Sequence, residues 1–67
     1  MGETKRKILQ ILYDTSLDTK EIINVLRDES EFVRFNEETV RKHLRDLKSM
    51  NKIVNERVGH LYVWTLV

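Results

Sequence analysis

The 67-residue chain has no cysteine and no proline, and its 12 basic and 11 acidic residues give a formal net charge of +1. A chain of this length forms one domain with a small core. Without cysteine, that core has neither disulfides nor thiolate metal sites to support it. The near-neutral charge excludes strong overall attraction to an anionic partner, so a nucleic acid would have to meet a local cluster of Lys and Arg.

The sequence has no run of 18 apolar residues and therefore predicts no membrane span. Its first nine residues, MGETKRKIL, lack the apolar region of a signal peptide, so we expect a cytoplasmic protein. Charged residues make up 34% of the chain, a share that resembles the Lys/Glu/Arg-rich composition of thermophile proteins. Two histidines are too few for a metal cage without carboxylates, and we predict no cofactor.

The first predicted helix covers residues 4–13. Thr4 is of a type that caps a first helical turn. Aliphatic residues recur at helical spacing and form a broad stripe. They are Ile8, Leu9, Ile11 and Leu12. The cations of residues 5–7 crowd the first turn, either as a solvated helix end or as a small basic patch near a phosphate backbone.

Residues 14–17 (DTSL) favour a turn through side-chain bonds to their own backbone, with Leu17 assigned to a very short strand. A second helix is predicted to begin at Asp18, because Asp18 and Glu21 have the spacing of a capping box. It should end within residues 27–29. Its predicted buried face consists of Ile22, Ile23, Val25 and Leu26.

Residues 30–35 (SEFVRF) show no helical period, and we expect Phe32 or Phe35 to fill the core between the second and third helices. The alternative is that the second helix continues into this segment.

A third helix is predicted from Asn36, which is a typical N-cap and is followed by two glutamates that complement the positive end of the helix dipole. Val40, Leu44 and Leu47 fall on one face at helical spacing. Met50 is predicted to extend that stripe, and Asn51 to end the helix in the left-handed conformation that glycine more often adopts.

Two strands, residues 53–57 and 61–66, are predicted to form a hairpin connected through Val58 and Gly59, because glycine supplies positive φ in a tight connection. Both alternating sets of the second strand are mostly apolar. We favour Tyr62, Trp64 and Leu66 as the inward set. This choice leaves Leu61, Val63 and Val67 partly exposed as a candidate partner surface.

This order of elements resembles the winged helix-turn-helix family of small bacterial and archaeal transcription regulators. Residues 17–22 (LDTKEI) resemble the family's entry into its second helix. Residues 38–47 (ETVRKHLRDL), followed by residues 50–54 (MNKIV), are similar to its recognition helix and first wing strand, often written S-T-V-x-R-H-L-x-x-L and G-L-I. The resemblance implies a single domain over residues 1–67 that is mainly α with a small β-hairpin, in the order α1-(β1)-α2-α3-β2-β3.

The resemblance further implies that the chain binds double-stranded DNA, with the third helix (about 37–50) in the major groove and the 53–66 hairpin as wing. If the Val40, Leu44 and Leu47 face is buried, helical geometry independently places charged residues outward. The candidate DNA-binding residues are Glu38, Thr39, Arg41, Lys42, Arg45, Lys48, Lys52, Arg57 and His60.

Different roles are expected within this set. Arg41 or Lys42 would pair with guanine O6 and N7, and Glu38 would accept from cytosine N4. Thr39 lies near the end of the helix that enters the groove. Phosphate contacts are expected from Arg45, Lys48 and Lys52. Arg57 and His60 would touch the backbone or the neighbouring minor groove.

Less specific interpretations of the same residues remain open. The cations of the third helix also fit a solvated face, in which Glu38 pairs with Arg41 or Lys42. His43 lies beside the apolar stripe and fits a half-buried packing residue better than a ligand. Trp64 and Tyr62 fit burial better than a stacking platform for single strands.

An enzyme is not expected, because the sequence has no nucleophile elbow, P-loop or paired-histidine motif. The main hypothesis is a transcription regulator that binds DNA as a homodimer, without an evident small-molecule ligand. The near-zero charge and the acidic Glu37 and Glu38 leave a winged-helix module for protein–protein interaction as the alternative. DNA binding in replication or plasmid maintenance would have the same sequence features.

Overall fold

The computed structural model describes residues 2–29 and 36–67. The elements are α1 (Glu3–Asp14), β1 (Leu17–Asp18), α2 (Thr19–Glu29), α3 (Glu37–Ser49), β2 (Ile53–Val58) and β3 (Leu61–Leu66). The strands form one antiparallel sheet in the order β1-β3-β2. The predicted order of elements is therefore confirmed, including the short strand at Leu17.

Helix α1 begins earlier than predicted and has a different N-cap. Gly2 precedes it in an extended conformation and provides no side-chain cap, so the prediction that Thr4 caps the helix is wrong. Thr4 lies inside the first turn because the helix already starts at Glu3, whose carboxylate complements the positive end of the helix dipole. Ile8 and Leu12 are buried on the inner face of α1.

Helix α2 has the predicted capping box. The Asp18 carboxylate accepts from the Glu21 backbone N–H at 2.8 Å, and the Asp18 N–H donates to the Glu21 side chain at 3.2 Å. Two amides that the helix leaves without partners are satisfied in this way. Ile22, Ile23 and Leu26 are buried as predicted, whereas Val25 is only half-buried.

Helix α3 begins at its predicted cap, where the Asn36 side chain accepts from the Glu38 N–H at 2.9 Å. At its other end, the Lys52 N–H donates to the Leu47 carbonyl and the Asn51 N–H to the Lys48 carbonyl, each at 3.0 Å. This pair of bonds is a Schellman motif, with Asn51 at the left-handed position. Its φ of 59° confirms the predicted helix stop.

Met50 is 48% exposed, so the prediction that it extends the buried stripe is wrong. The helix ends at Ser49, and Met50 is its C-cap. Ten residues after Val40, at 3.6 residues per turn, Met50 would also lie about 80° away from Val40 around the helix axis.

The hairpin pairs Ile53 with Leu66 at its base and Val58 with Leu61 at its tip. Val58 is therefore the last residue of β2, and the turn is Gly59–His60, one residue later than predicted. Gly59 has a φ of 62°, a conformation that two-residue hairpin turns require and that glycine adopts without steric cost.

The inward set of β3 is confirmed at two of its three positions. Trp64 is buried and its Nε1 donates to Thr19 Oγ1 at 2.8 Å, which joins β3 to the start of α2. Leu66 packs partly buried against the core. Tyr62 is 48% exposed, since it lies beyond the end of the core, opposite Arg57 on β2. On the other face, Leu61 and Val67 are exposed as predicted.

One core joins the three helices to the hairpin. Its buried residues are Ile8, Leu12, Ile22, Ile23, Leu26, Val40, Leu44, Leu47, Ile53 and Trp64. The predicted Phe32 or Phe35 contact falls outside the described residues. Within the described ranges, none of the helices has the length and apolar character needed to cross a bilayer.

Candidate nucleic-acid interface

Helix α3 has one fully buried face and one charged face. Val40, Leu44 and Leu47 are at most 2% exposed, which fixes the rotation of the helix about its axis. The exposed charged surface is called here the outer face of α3. Glu38, Lys42 and Arg45 lie opposite the buried stripe, and Arg41 and Lys48 lie on one flank, about 80–100° from Val40 around the helix. At 3.6 residues per turn, Lys42, Arg45 and Glu38 lie farthest from the core. The outer face thus presents four cations and one carboxylate to solvent.

Arg41 is held by both glutamates of the first turn of α3. Its Nη1 donates to Glu38 Oε1 at 3.1 Å and lies 4.0 Å from Glu37 Oε2. The other Glu37 oxygen accepts from Arg27 Nη2 of α2 at 2.9 Å. We call Arg27, Glu37, Arg41 and Glu38 the Arg41 network. It links the last turn of α2 to the first two turns of α3.

The remaining cations of the outer face differ from Arg41 because they are not held by carboxylates of the described residues. Lys42, Arg45 and Lys48 are exposed, and none of them forms an ion pair within the described part of the chain. A phosphate approaching this face would therefore meet three cations that need not first release a carboxylate. Such contacts fix a nucleic acid in position without reading its sequence.

Thr39 and Lys52 lie away from the centre of this face. Thr39 is exposed on the flank of α3, about 100° from Val40 around the helix. Lys52 is exposed directly after the Schellman motif, and its backbone N–H is the donor to Leu47. The helix ending therefore fixes where the Lys52 side chain leaves the backbone.

The wing carries one cation near its tip. Arg57 is exposed, and its Nε donates to the Gly59 carbonyl at 3.2 Å. This bond holds the arginine against the turn instead of along the strand. His60 is exposed in the turn itself. The structure thus places both predicted wing residues at the tip of the hairpin.

Helix α1 contacts α3 through an ion pair that the sequence analysis did not predict. Lys5 Nζ lies 3.4 Å from Asp46 Oδ2, and the side chains are 22% and 45% exposed. The two residues are 41 positions apart, so no local spacing rule connects them. Lys5 therefore belongs to the α1–α3 contact, although it stands in the basic run of residues 5–7.

His43 is half-buried beside this ion pair, in agreement with its interpretation as a packing residue. Its Nδ1 is buried without a hydrogen-bond partner among the described residues. Burial lowers the pKa of His43 below 6.5, helped by the positive charges of Lys5 and Lys42 and opposed by Asp46. The folded state therefore favours the neutral imidazole.

This pKa shift predicts that acid weakens the fold through His43. A lowered folded-state pKa stabilises the fold fully above the unfolded-state pKa of 6.5, and the contribution is lost as pH falls through the folded-state value. We expect the melting temperature of the wild type to fall more between pH 7.5 and pH 5 than that of His43→Gln, measured by circular dichroism. Parallel pH profiles for the two proteins would contradict this role.

The sequence predicts the exposed charged residues of α3 but only some of the ion pairs that they form. Glu38, Arg41, Lys42, Arg45 and Lys48 are all exposed, in agreement with their predicted outward or flanking positions on the helix. The pairing of Glu38 with Arg41 agrees with the helical spacing noted from the sequence. The link from Arg27 through Glu37 was missed, because it crosses between two helices. The adjacent glutamates before a run of cations were the only local signal for it.

No protein-family model matches the chain, and no curated protein matches it in sequence. Solved structures match it in fold. HlyU from Vibrio cholerae superposes with a TM-score of 0.82 at 20% identity, over 97% of this chain and 63% of that one. A PadR family transcription regulator from hypervirulent Clostridium difficile gives 0.88 at 24% identity, over 98% and 73%.

The DNA binding domain of the repressor BlaI also matches, with a TM-score of 0.84 at 18% identity, over 98% of this chain and 78% of that one. The chain spans a little over three fifths of the length of the HlyU chains. At these identities the likeness concerns the backbone arrangement. Three helices followed by a hairpin that closes a small antiparallel sheet, superposing on these structures, show that the chain has the winged-helix fold.

Proposed function

We propose that this chain is a double-stranded DNA-binding domain that acts in transcription regulation in the cytoplasm. Helix α3 enters the major groove, and the β2–β3 hairpin lies against the neighbouring backbone or minor groove. The observation that carries the proposal is the outer face of α3, where four exposed cations lie on the side and flank of the helix turned away from a fully buried stripe. A rigid helix with this division fits the width of a major groove.

The solved structures support this assignment by what their titles state. One is a PadR family transcription regulator and another is the DNA binding domain of a repressor. In this chain, the proposed base readers are Arg41, Lys42, Glu38 and Thr39, at the N-terminal half of α3. Arg45, Lys48 and Lys52 are proposed to bind phosphates, and Arg57 and His60 to contact DNA from the wing.

A duplex titration tests the proposal. Fluorescence anisotropy with a labelled random-sequence 25-base-pair duplex, at 50 and 200 mM NaCl, should show binding that weakens steeply with salt. Since each neutralised phosphate contributes a slope of about −0.9 to the salt dependence, three to five contacts predict a loss of roughly 50- to 500-fold over this range. Absence of binding at 50 mM NaCl would overturn the proposal.

The proposal includes a homodimer. An open groove of about 770 Å³ lies between α1 and the end of β3, lined in part by Leu9, Tyr13, Leu66 and Val67. Tyr13 and Val67 are 77% and 75% exposed, and apolar side chains grouped in this way are typical of association surfaces. Sedimentation should detect a dimer that Tyr13→Asp converts to a monomer. A monomeric wild type at concentrations that saturate DNA would contradict the dimer.

One observation favours the alternative, a module for protein–protein interaction. Val54, Val58 and Leu61 are each about half exposed, and the strand register places Val58 opposite Leu61 on the side of the hairpin away from the core. The duplex titration separates the two functions. A folded protein without affinity for any duplex would favour this aliphatic surface as the functional one.

A further inference from the structure

The Arg41 network holds its charged side chains through contacts between two helices, which an ordinary solvated helix face does not do. Glu37 is bound from both sides, since one carboxylate oxygen pairs with Arg27 at 2.9 Å and the other lies 4.0 Å from Arg41. Its position is therefore set by two helices together. Glu38, which is 76% exposed, approaches the same Arg41 nitrogen from within α3. Two carboxylates thus converge on one guanidinium near the N-terminus of α3.

This arrangement leaves two nitrogens of the Arg41 guanidinium available to donate hydrogen bonds to a ligand. Both carboxylates contact Nη1, and the donors on Nη2 and Nε have no acceptor among the described residues. Guanine offers two acceptors, O6 and N7, to a pair of parallel N–H donors. A guanidinium held in place by carboxylates has less rotamer freedom to lose when it makes that bidentate contact.

The same carboxylates act against phosphate. A highly exposed Glu38 beside Arg41 offsets its positive charge, so Arg41 contributes little to sequence-independent attraction. Lys42, Arg45 and Lys48, without such partners among the described residues, supply that attraction instead. Specificity is a difference of affinities, and a carboxylate that lowers binding to all DNA increases the share that depends on the correct base.

We propose that Glu37 and Glu38 are positioning residues that dedicate Arg41 to reading one guanine in the major groove. This inference rests on the proposed DNA-binding function. It gives the acidic start of α3 a role in recognition, where its charge alone would count against DNA binding. Arg41 makes the contact with this guanine, and at this base the two glutamates act only through Arg41.

The test begins with a selection from duplexes that carry 12 randomised base pairs, using the wild-type protein. Each guanine of the selected duplex is then replaced in turn, and the affinities are compared by anisotropy. We expect one guanine whose replacement costs the wild type about tenfold or more, as a bidentate contact would. Arg41→Lys, which keeps the charge, should lose the preference at that guanine and at no other.

The deciding variant is Glu38→Gln. Its affinity for a random duplex should be at least about threefold higher than that of the wild type, because the variant lacks one negative charge that repels phosphate. Its preference at the guanine read by Arg41 should fall to about threefold or less, with a native spectrum and a melting temperature no more than about 8 °C below that of the wild type. Glu3→Gln removes the same charge from an exposed position in the first turn of α1, outside α3, the hairpin and the groove between α1 and β3, and should leave the preference at wild-type strength.

The measurements distinguish failure of the proposed DNA-binding function from failure of the positioning role. If the wild type binds no duplex, the proposed function fails and the inference falls with it. If the wild type selects a sequence but Glu38→Gln keeps the full preference at the guanine that Arg41→Lys loses, the positioning role alone is overturned. A selected duplex with no guanine that depends on Arg41 also overturns the inference while leaving DNA binding intact.

Discussion

Replacing Arg41 and Arg45 together with alanine should weaken binding to the selected duplex by about 100-fold or more, while the far-UV circular dichroism spectrum stays native. Both side chains are exposed and lie on the outer face of α3, so their loss opens no cavity in the core. The alanine variant also loses the pairs of Arg41 with Glu37 and Glu38, but exposed ion pairs of this kind contribute only about 0–1 kcal/mol to stability.

The expected loss follows from two kinds of contact. A bidentate arginine–guanine pair contributes about 1–3 kcal/mol of discrimination. A phosphate contact adds roughly one unit to the salt slope. Together they predict a fall in affinity of about 100-fold or more, since 1.4 kcal/mol corresponds to tenfold. Anisotropy with the selected duplex at 100 mM NaCl measures this fall directly.

The matched control keeps the charge. Arg41→Lys plus Arg45→Lys retains two cations but removes the planar pair of donors. We expect it to bind random duplex within about threefold of the wild type, because phosphate attraction depends mainly on charge, and to lose preference for the selected sequence. Unchanged binding by the double alanine variant would show that the outer face of α3 does not contact DNA.

The parts of the fold that the sequence predicted well are those set by local chemistry. The Asp18–Glu21 capping box, the Asn36 cap and the left-handed Asn51 each depend on residues within a few positions. The buried stripe of α3 follows from a period of 3.6 residues. These features need no knowledge of the rest of the chain.

Two of the errors occur where an element meets its surroundings. Met50 continues the helical pattern in sequence, but the helix ends before it. Tyr62 alternates correctly with Trp64, but the hairpin has extended past the core at that point and leaves it exposed. A periodic pattern tells which way a side chain points, whereas burial also requires another element on that side.

The candidate interface divides in the same way. Its outward cations were found from helical geometry, and the Glu38–Arg41 pair from spacing within one helix. The sequence did not predict two ion pairs, one between Arg27 and Glu37 and one between Lys5 and Asp46. Both join separate helices, so they depend on how the helices pack. These contacts determine which cations remain available to DNA.

The second large effect concerns the buried face on which this interface depends. Leu44→Ala should destabilise the domain severely, since Leu44 is fully buried at the centre of α3. Truncation of a buried leucine costs about 2–5 kcal/mol. At roughly 0.05–0.15 kcal/mol per residue, a chain this short has a total stability of only about 3–10 kcal/mol.

A thermal melt followed by circular dichroism measures the effect. For a small domain, each kcal/mol lowers the melting temperature by about 4–8 °C, so Leu44→Ala should melt roughly 8–40 °C below the wild type. Leu61→Ala removes the same atoms from a residue that is 47% exposed, and should cost less than about 1 kcal/mol. Equal shifts for the two variants would contradict the assignment of Leu44 to the core.

Duplex binding by Leu44→Ala then separates folding from recognition. The variant keeps every charged residue of the outer face of α3, so at temperatures where its spectrum is native it should bind the selected duplex within about threefold of the wild type. Above its melting transition, sequence preference should disappear, because only the packed face of α3 holds those side chains in a fixed array. Loss of preference at low temperature, with a native spectrum, would mean that Leu44 positions the outer face more finely than burial alone requires.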